Sequence, residues 1–209
     1  MPDSTPILGL PYPTPDDSVD VPRDVKALAD KLDAYSSIRP PLVSSLPASP
    51  ANDQEALVAL EPPNAYCVAR YVAALGDAAK WIVIGGGPIA RMPTLNLALT
   101  TADQILAGTA VTLAVPGVYR VRLAATGISG ASQPGSGQFT LYKGGVAQSA
   151  PVAFVAMPAG YFRASGETEV LMTCAAGDAF DARGKLTGAS QAMTVSHAIL
   201  EFWPIRFGP

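Results

Sequence analysis

Val118-Tyr119-Arg120-Val121-Arg122-Leu123 puts Tyr119, Val121 and Leu123 on one side of an extended chain and Arg120 and Arg122 on the other. Successive side chains of a strand point to opposite faces, so this is a strand with one face in a core and one in water. Outward from it the same texture repeats. Candidate strands cover residues 95–99, 104–106, 111–115, 117–125, 137–142, 152–157, 167–174, 179–183 and 192–203. Lys143-Gly144-Gly145-Val146 predicts a hairpin, because Gly-Gly supplies the positive φ angles of a tight turn. Ala176-Gly177-Asp178, Gly184 and Gly188 mark further turns. Many short strands with regular turns and no helical period predict a β-sandwich over 94–209.

Upstream the chain is punctuated by proline. Twelve of the 20 prolines fall in residues 1–63, among them Pro40-Pro41, Pro47, Pro50 and Pro62-Pro63. Between and beyond them, strands are expected over 56–60, 66–72 and 80–88, the last ending in Gly85-Gly86-Gly87-Pro88. These predict a small antiparallel β-unit of three strands within a Pro-rich linker and collar, residues 37–93.

Residues 22–36 carry the one helical period. Pro22 suits a first helical turn, Asp20 an N-cap, and Asp24 the positive end of the helix dipole. Val25, Leu28, Leu32 and Tyr35 recur at spacings of three, four and three, an a/d seam two heptads long that Ala29 widens. So short a helix needs cover, either from its own domain or from sister helices. The flanking prolines leave little of its own chain nearby, which favours a self-associating bundle. Residues 1–21 hold Pro2, Pro6, Pro11, Pro13 and Pro15 between isolated apolar residues. Proline fixes φ and removes a donor, so an extended arm is expected. It cannot shelter Ile7, Leu8, Leu10 and Tyr12 itself, and these are the candidate anchor to another chain.

At 209 residues and 49% hydrophobic content, a packed core is expected. Charged residues make up 15%, and the net charge of −3 offers no footprint for DNA or RNA. The acid is concentrated in the first 33 residues, leaving a nearly neutral body suited to packing between subunits. Met1 is followed by neither a basic nor an apolar leader region, so synthesis in the cytoplasm without a secretion signal is expected. The longest apolar run, near residues 81–90, is too short and too broken to cross a membrane. Cys67 and Cys174 make neither a zinc site nor a disulfide framework and are expected as buried thiols.

The remaining chemistry-bearing residues favour no enzyme. Gly85-Gly86-Gly87-Pro88 lacks the Lys-Ser/Thr of a phosphate loop and a following helix, so a turn is expected. His197, the only histidine, is expected on the same strand face as Val195, Ile199 and Glu201. It has no G-x-S-x-G partner and no neighbouring ligands in sequence. Asp178 and Asp181 have the spacing of a cation loop or an acid/base pair, but also of ordinary turn chemistry. Tyr161-Phe162 and the tail Phe202-Trp203-Pro204-Ile205-Arg206-Phe207 could stack on sugar rings or pack in a core or between subunits. No cofactor and no metal are expected.

Residues 5–33, from Thr5-Pro6-Ile7-Leu8-Gly9-Leu10-Pro11-Tyr12-Pro13 through Asp24-Val25-Lys26-Ala27-Leu28, resemble the N-terminal segment of tailed-bacteriophage appendage proteins of the minor-tail, tail-fibre or head-fibre kind. Val43-Ser44-Ser45-Leu46-Pro47, Ala69-Arg70-Tyr71 and Lys80-Trp81-Ile82-Val83-Ile84-Gly85-Gly86 resemble a second module of those proteins, with departures at Asn52-Asp53 and Cys67-Val68. Pro116-Gly117-Val118-Tyr119-Arg120-Val121, Gly137-Gln138-Phe139-Thr140-Leu141-Tyr142 and Ala176-Gly177-Asp178-Ala179-Phe180 resemble the jelly-roll family typified by C1q and tumour necrosis factor. The resemblances imply a homotrimeric virion appendage. Residues 1–21 would dock on other virion proteins and 94–209 would meet a host-surface glycan or protein. A capsid or collar decoration protein with no receptor, and a surface-glycan hydrolase, are the alternatives. No nucleic acid partner and no membrane insertion are expected.

Overall fold

The computed structural model describes residues 46–61, 65–76 and 79–208 and, as backbone strands only, Asp3–Ser4, Pro11–Tyr12 and Leu42–Val43. The helix expected over 22–36, with Val25, Leu28, Leu32 and Tyr35, lies outside the described residues, as do Ile7, Leu8 and Leu10. Tyr12 lies in a strand described by its backbone alone. The chain divides into two units, Met1–Leu42 and Val43–Pro209. In the first, β1 (Asp3–Ser4) and β2 (Pro11–Tyr12) pair antiparallel, Asp3 opposite Tyr12 and Ser4 opposite Pro11.

Thirteen further strands of the second unit follow β3 (Leu42–Val43) at the junction. They are β4 (Glu55–Glu61), β5 (Ala65–Tyr71), β6 (Trp81–Gly86), β7 (Ile89–Arg91), β8 (Thr94–Ala98), β9 (Gln104–Ile105), β10 (Val111–Thr112), β11 (Gly117–Ser129), β12 (Gly135–Lys143), β13 (Val146–Met157), β14 (Arg163–Cys174), β15 (Ala179–Leu186) and β16 (Met193–Phe207). They form two antiparallel sheets. The smaller runs β10-β15-β12-β13, with β9 also on β15. The larger runs β14-β11-β16-β6-β5-β4-β3, with β7 and β8 also on β16. From β10 onward every connection except the β12–β13 hairpin crosses between the sheets. That hairpin turns at Gly144 and Gly145, whose φ angles are 54° and 81°, as the Gly-Gly signal predicts.

The core lies between the sheets. Tyr119, Val121 and Leu123 of β11 are fully buried, while Arg120 and Arg122 face outward, as their alternation predicts. Opposite them stand Phe139 and Leu141 of β12 and Phe180 of β15. Phe180 meets Phe202 at 4.9 Å between ring centroids, and the Tyr119 ring meets Phe202 and Phe207 edge-on at 6.3 and 6.1 Å. Burying one such ring stabilises the fold by about 1.5–3 kcal/mol. A buried phenol needs a partner, and Tyr119 Oη donates to Val115 O at 2.6 Å. Buried Thr109 is satisfied likewise, donating to Leu106 O and accepting from Ala182 N.

The expected three-stranded unit is present as β4, β5 and β6, with Cys67 opposite Val58 and Tyr71 opposite Trp81. It continues the larger sheet, because Trp81 and Ile82 of β6 pair with Phe207 and Arg206 of β16. Several strands run longer than their sequence signal. β11 continues to Ser129, β13 starts at Val146, and β16 reaches Phe207. β7 was not expected, since three residues carry no period of their own; Ile89, Ala90 and Arg91 take extended geometry by pairing with Phe202, Glu201 and Leu200.

The register makes neighbouring positions of the smaller sheet unequal. Phe139 points into the core, whereas Phe154, opposite Gln138 on the next strand, points outward. Phe139→Ala is expected to lower the unfolding free energy by about 3–5 kcal/mol in urea titration, and Phe154→Ala by less than about 0.5 kcal/mol. Equal losses would mean that this register is wrong.

Candidate functional site

The outward side of β14, β11 and β16 is built by cross-strand rows. Arg120 stands between Leu171 of β14 and Trp203 of β16, and Arg122 between Glu169 and Glu201. Side chains directly opposite on neighbouring strands are close enough to interact. Arg122 contacts Glu167 at 2.7 Å and Glu201 at 3.3 Å, and Arg120 Nε lies 3.7 Å from Glu169 Oε1. The Arg120 guanidinium sits 5.4 Å from the centre of the Trp203 ring, whose Nε1 donates to Glu201 Oε2. The Glu167 carboxylate bonded to Arg122 raises the guanidinium pKa further. Such exposed pairs contribute little stability, about 0–1 kcal/mol each. Their consequence is electrical, because Arg120 and Arg122 are matched by carboxylates within the same face. Among the described residues, Arg120 Nε is a buried side-chain nitrogen with no hydrogen-bond partner.

Apolar groups lie among these charges. Leu171 is 64% exposed, and Val118, Ile199 and Trp203 are half-buried. Beyond them Thr126 Oγ1 and Ser165 Oγ share a hydrogen bond of 2.7 Å. The face is therefore mixed, self-neutralised and partly apolar. Charges already paired in plane cost less to cover than isolated ones. These residues come from strands tens of residues apart; the sequence pointed to some of them singly, through the Arg120/Arg122 alternation, the Ile199/Glu201 face and Trp203 of the aromatic tail, and to none of their pairings.

His197 belongs to the same face, but not with Val195. A bulge at Ser196 places His197 opposite Thr126 and Val195 opposite Gly127. An extra residue in one strand reverses the alternation beyond it. Val195 is therefore buried, while His197 is exposed beside Ile199 and Glu201. Its Nδ1 lies 3.1 Å from Ser196 Oγ, its one hydrogen bond among the described residues, and that hydroxyl also donates to Thr126 O. Among the described residues no carboxylate is bonded to the ring, so the pair lacks there the orienting third member of a nucleophilic triad.

The other sequence candidates fall elsewhere. Asp178 Oδ2 accepts from Ala175 N and pairs with Lys143, which is turn chemistry. Asp181 pairs with Arg183 two residues on. The two carboxylates thus have separate structural partners. Among the described residues, no three His, Cys, Asp or Glu side chains group as metal ligands would. Gly85 and Gly86 end β6, and strand β7 follows where a phosphate loop would need a helix. Gly86 has φ 115° and an added Cβ there would lie 2.5 Å from Cys67 Cα, so the motif serves close strand packing. Phe202 and Phe207 of the tail are buried, whereas Tyr161 and Phe162 are 71% and 53% exposed.

No protein-family model matches the chain, and no curated protein does. Among solved structures, an Eiger TNF from S. frugiperda is similar at 10% identity and TM-score 0.43, over 59% of this chain and 96% of that one. The globular domain of a zebrafish complement 1qA protein is similar at 13% identity and TM-score 0.42, over 58% and 99%. Murine APRIL is similar at 13% identity and TM-score 0.36, over 70% and 95%. Similarities this remote leave function to be argued from the chain's own residues.

Cys67 and Cys174 are buried free thiols. Burial pushes the Cys67 thiol up from 9.0 to about 12, and burial aided by Asp178 pushes Cys174 up to about 11. Both are expected to resist an aromatic disulfide reagent at pH 8 in the native protein and to react at once in denaturant. Fast native labelling would contradict their burial. The raised values also fix the sign of the alkaline response. The unfolded thiols ionise near pH 9.0 and the folded ones do not, so this contribution to stability declines between about pH 9 and 12.

Proposed function

We propose that this chain is a non-enzymatic, homotrimeric bacteriophage virion appendage. Its N-terminal residues dock it on the particle, and its β-sandwich is presented outward for attachment to the host surface. The observation that carries the self-association is the outward face of β14, β11 and β16. There Leu171 is exposed in the same face as Val118, Ile199 and Trp203, and the arginines are already matched by Glu167, Glu169 and Glu201. A monomer gains nothing by leaving Leu171 in water, whereas a second copy would cover it without stranding a charge. The phage assignment is supported by the sequence resemblance over residues 5–90. Its helical stripe Val25, Leu28, Leu32 and Tyr35 would join the copies a second time, and Ile7, Leu8, Leu10 and Tyr12 would hold the particle.

The mechanism is binding by multiplicity. Three equal heads on one stem turn a weak contact into firm attachment, because after the first contact the others become intramolecular. No deep catalytic constellation is needed for that. A decoration protein would share the self-association and lack the attachment.

Two measurements separate these outcomes. Full-length protein added to host cells before the phage is expected to reduce adsorption several-fold; a decoration protein would leave adsorption unchanged. Replacing both Leu28 and Leu32 by Asp is expected to lower the oligomer mass or weaken assembly at least tenfold. An unchanged mass and an unchanged assembly midpoint would remove the bundle from the mechanism.

A further inference from the structure

At one end of the sandwich three loops are tied around Gly130. Gly130 O accepts from Gly160 N at 2.9 Å, Gly130 N donates to Ala192 O at 3.1 Å, and Ala192 N donates to Pro134 O at 3.0 Å. The short β13–β14 loop is held further by Ser129. Its Oγ accepts from Phe162 N at 3.0 Å, and its backbone N donates to Phe162 O at 2.9 Å. Ser129 is buried, so this anchor is shielded from water.

This fixed loop carries two adjacent aromatic rings that point away from the core. Tyr161 is 71% exposed and Phe162 53%, whereas Tyr119, Phe139, Phe180, Phe202 and Phe207 are all buried. Tyr161 holds φ at 59°, a conformation bulky residues rarely adopt. Glycine would sit there more easily, so a tyrosine at this position costs stability and displays its ring. The Phe162 ring lies against Gly160, where an added Cβ would meet it at 3.0 Å.

The company these rings keep is polar but almost uncharged. The two loops tied to this one through Gly130 supply Ser132 and Gln133 and, from the β15–β16 connection, Thr187, Ser190 and Gln191. Thr187 Oγ1 is bonded to Ser136 Oγ and Gln191 Oε1, which holds that loop's polar groups in place. No charged residue occurs between Arg122 and Lys143 or between Lys185 and Glu201, and Arg163 is the one charge adjoining the aromatic pair in sequence. Rigid aromatic surface beside adaptable amides and hydroxyls is a combination that recognises ligands at low entropic cost. An anionic ligand would call for clustered cations, and two rings are too small a patch for a stable protein interface.

We propose that this loop end binds a neutral saccharide. The C–H face of a sugar ring stacks on Tyr161 or Phe162, and its hydroxyls exchange hydrogen bonds with the Gln, Ser and Thr side chains alongside. The proposal deepens the attachment function above and rests on it for its biological role, but the binding itself can be measured separately.

The test uses the full-length protein on an array of neutral and sialylated oligosaccharides. The neutral set comprises glucose, galactose, mannose and N-acetylglucosamine oligomers. Binding to at least one neutral oligosaccharide is expected, with no added affinity for its sialylated form. Tyr161→Gly removes the ring while relieving the backbone strain, so it is expected to fold and to melt no lower than the parent. It and Phe162→Ala are each expected to weaken binding at least tenfold, and Phe154→Ala, exposed on a strand instead of this loop, to leave it unchanged. Silence across the neutral set, preference for sialylated sugars, or full binding by Tyr161→Gly would overturn the proposal. Failure of the attachment function looks different: the chain would bind a neutral sugar yet fail to reduce phage adsorption. If instead the parent and Tyr161→Gly block adsorption equally, attachment stands and the saccharide site falls.

Discussion

The last strand is the constraint on which the rest depends. β16 runs fifteen residues and pairs along one edge with β11 and along the other with β8, β7 and β6 in turn. Without it, the larger sheet has no centre, and the β4–β6 unit has no partner in the sandwich. Its inward residues, Val195, Ala198, Leu200, Phe202 and Phe207, are all fully buried. Long-range pairing of this kind is slow to form, because chain entropy must be lost before the contacts repay it. The sheet can close only after residues 193–207 have been synthesised.

The same strand determines what the outward face offers. Its two irregularities, at Ser196 and at Ile205, are the places where an extra residue enters the ladder with β11. Between them His197, Ile199, Glu201 and Trp203 face outward together. Pro204, which cannot donate to a ladder, sits next to the second irregularity, where a missing donor is tolerated. Glu201 is thereby set beside Arg122, and Trp203 beneath Arg120. A face so assembled can lie against another copy because its charges are answered within itself. The loop end around Gly130 has the opposite character. It is fixed, nearly uncharged and aromatic, and its rings are left for something other than the fold.

Much of the sandwich was legible in the sequence, since it depends on local period. Tyr119, Val121 and Leu123 announced a half-buried strand, and Gly144-Gly145 announced the turn between β12 and β13. What was illegible depends on register between distant strands. The bulge at Ser196 carries no glycine and no break in composition, so His197 was expected on the same face as Val195. β7 is too short to have a period and exists because β16 pairs with it. The pairing of Arg122 with Glu201 joins residues seventy-nine positions apart. For Asp178 and Asp181 the sequence offered both a pair and ordinary turn chemistry, and only their partners, Lys143 and Arg183, decide for separate structural roles. Tyr161 and Phe162 were visible as an aromatic pair, but their exposure and the backbone that holds them were not.

The central claim is that the sandwich is built to lie against copies of itself. Sedimentation equilibrium of the full-length protein across micromolar concentrations measures this directly. The account predicts a single species of three chain masses, which loses mass when Leu171 is replaced by Asp while the far-ultraviolet spectrum is retained. A species of one chain mass at every concentration would contradict it.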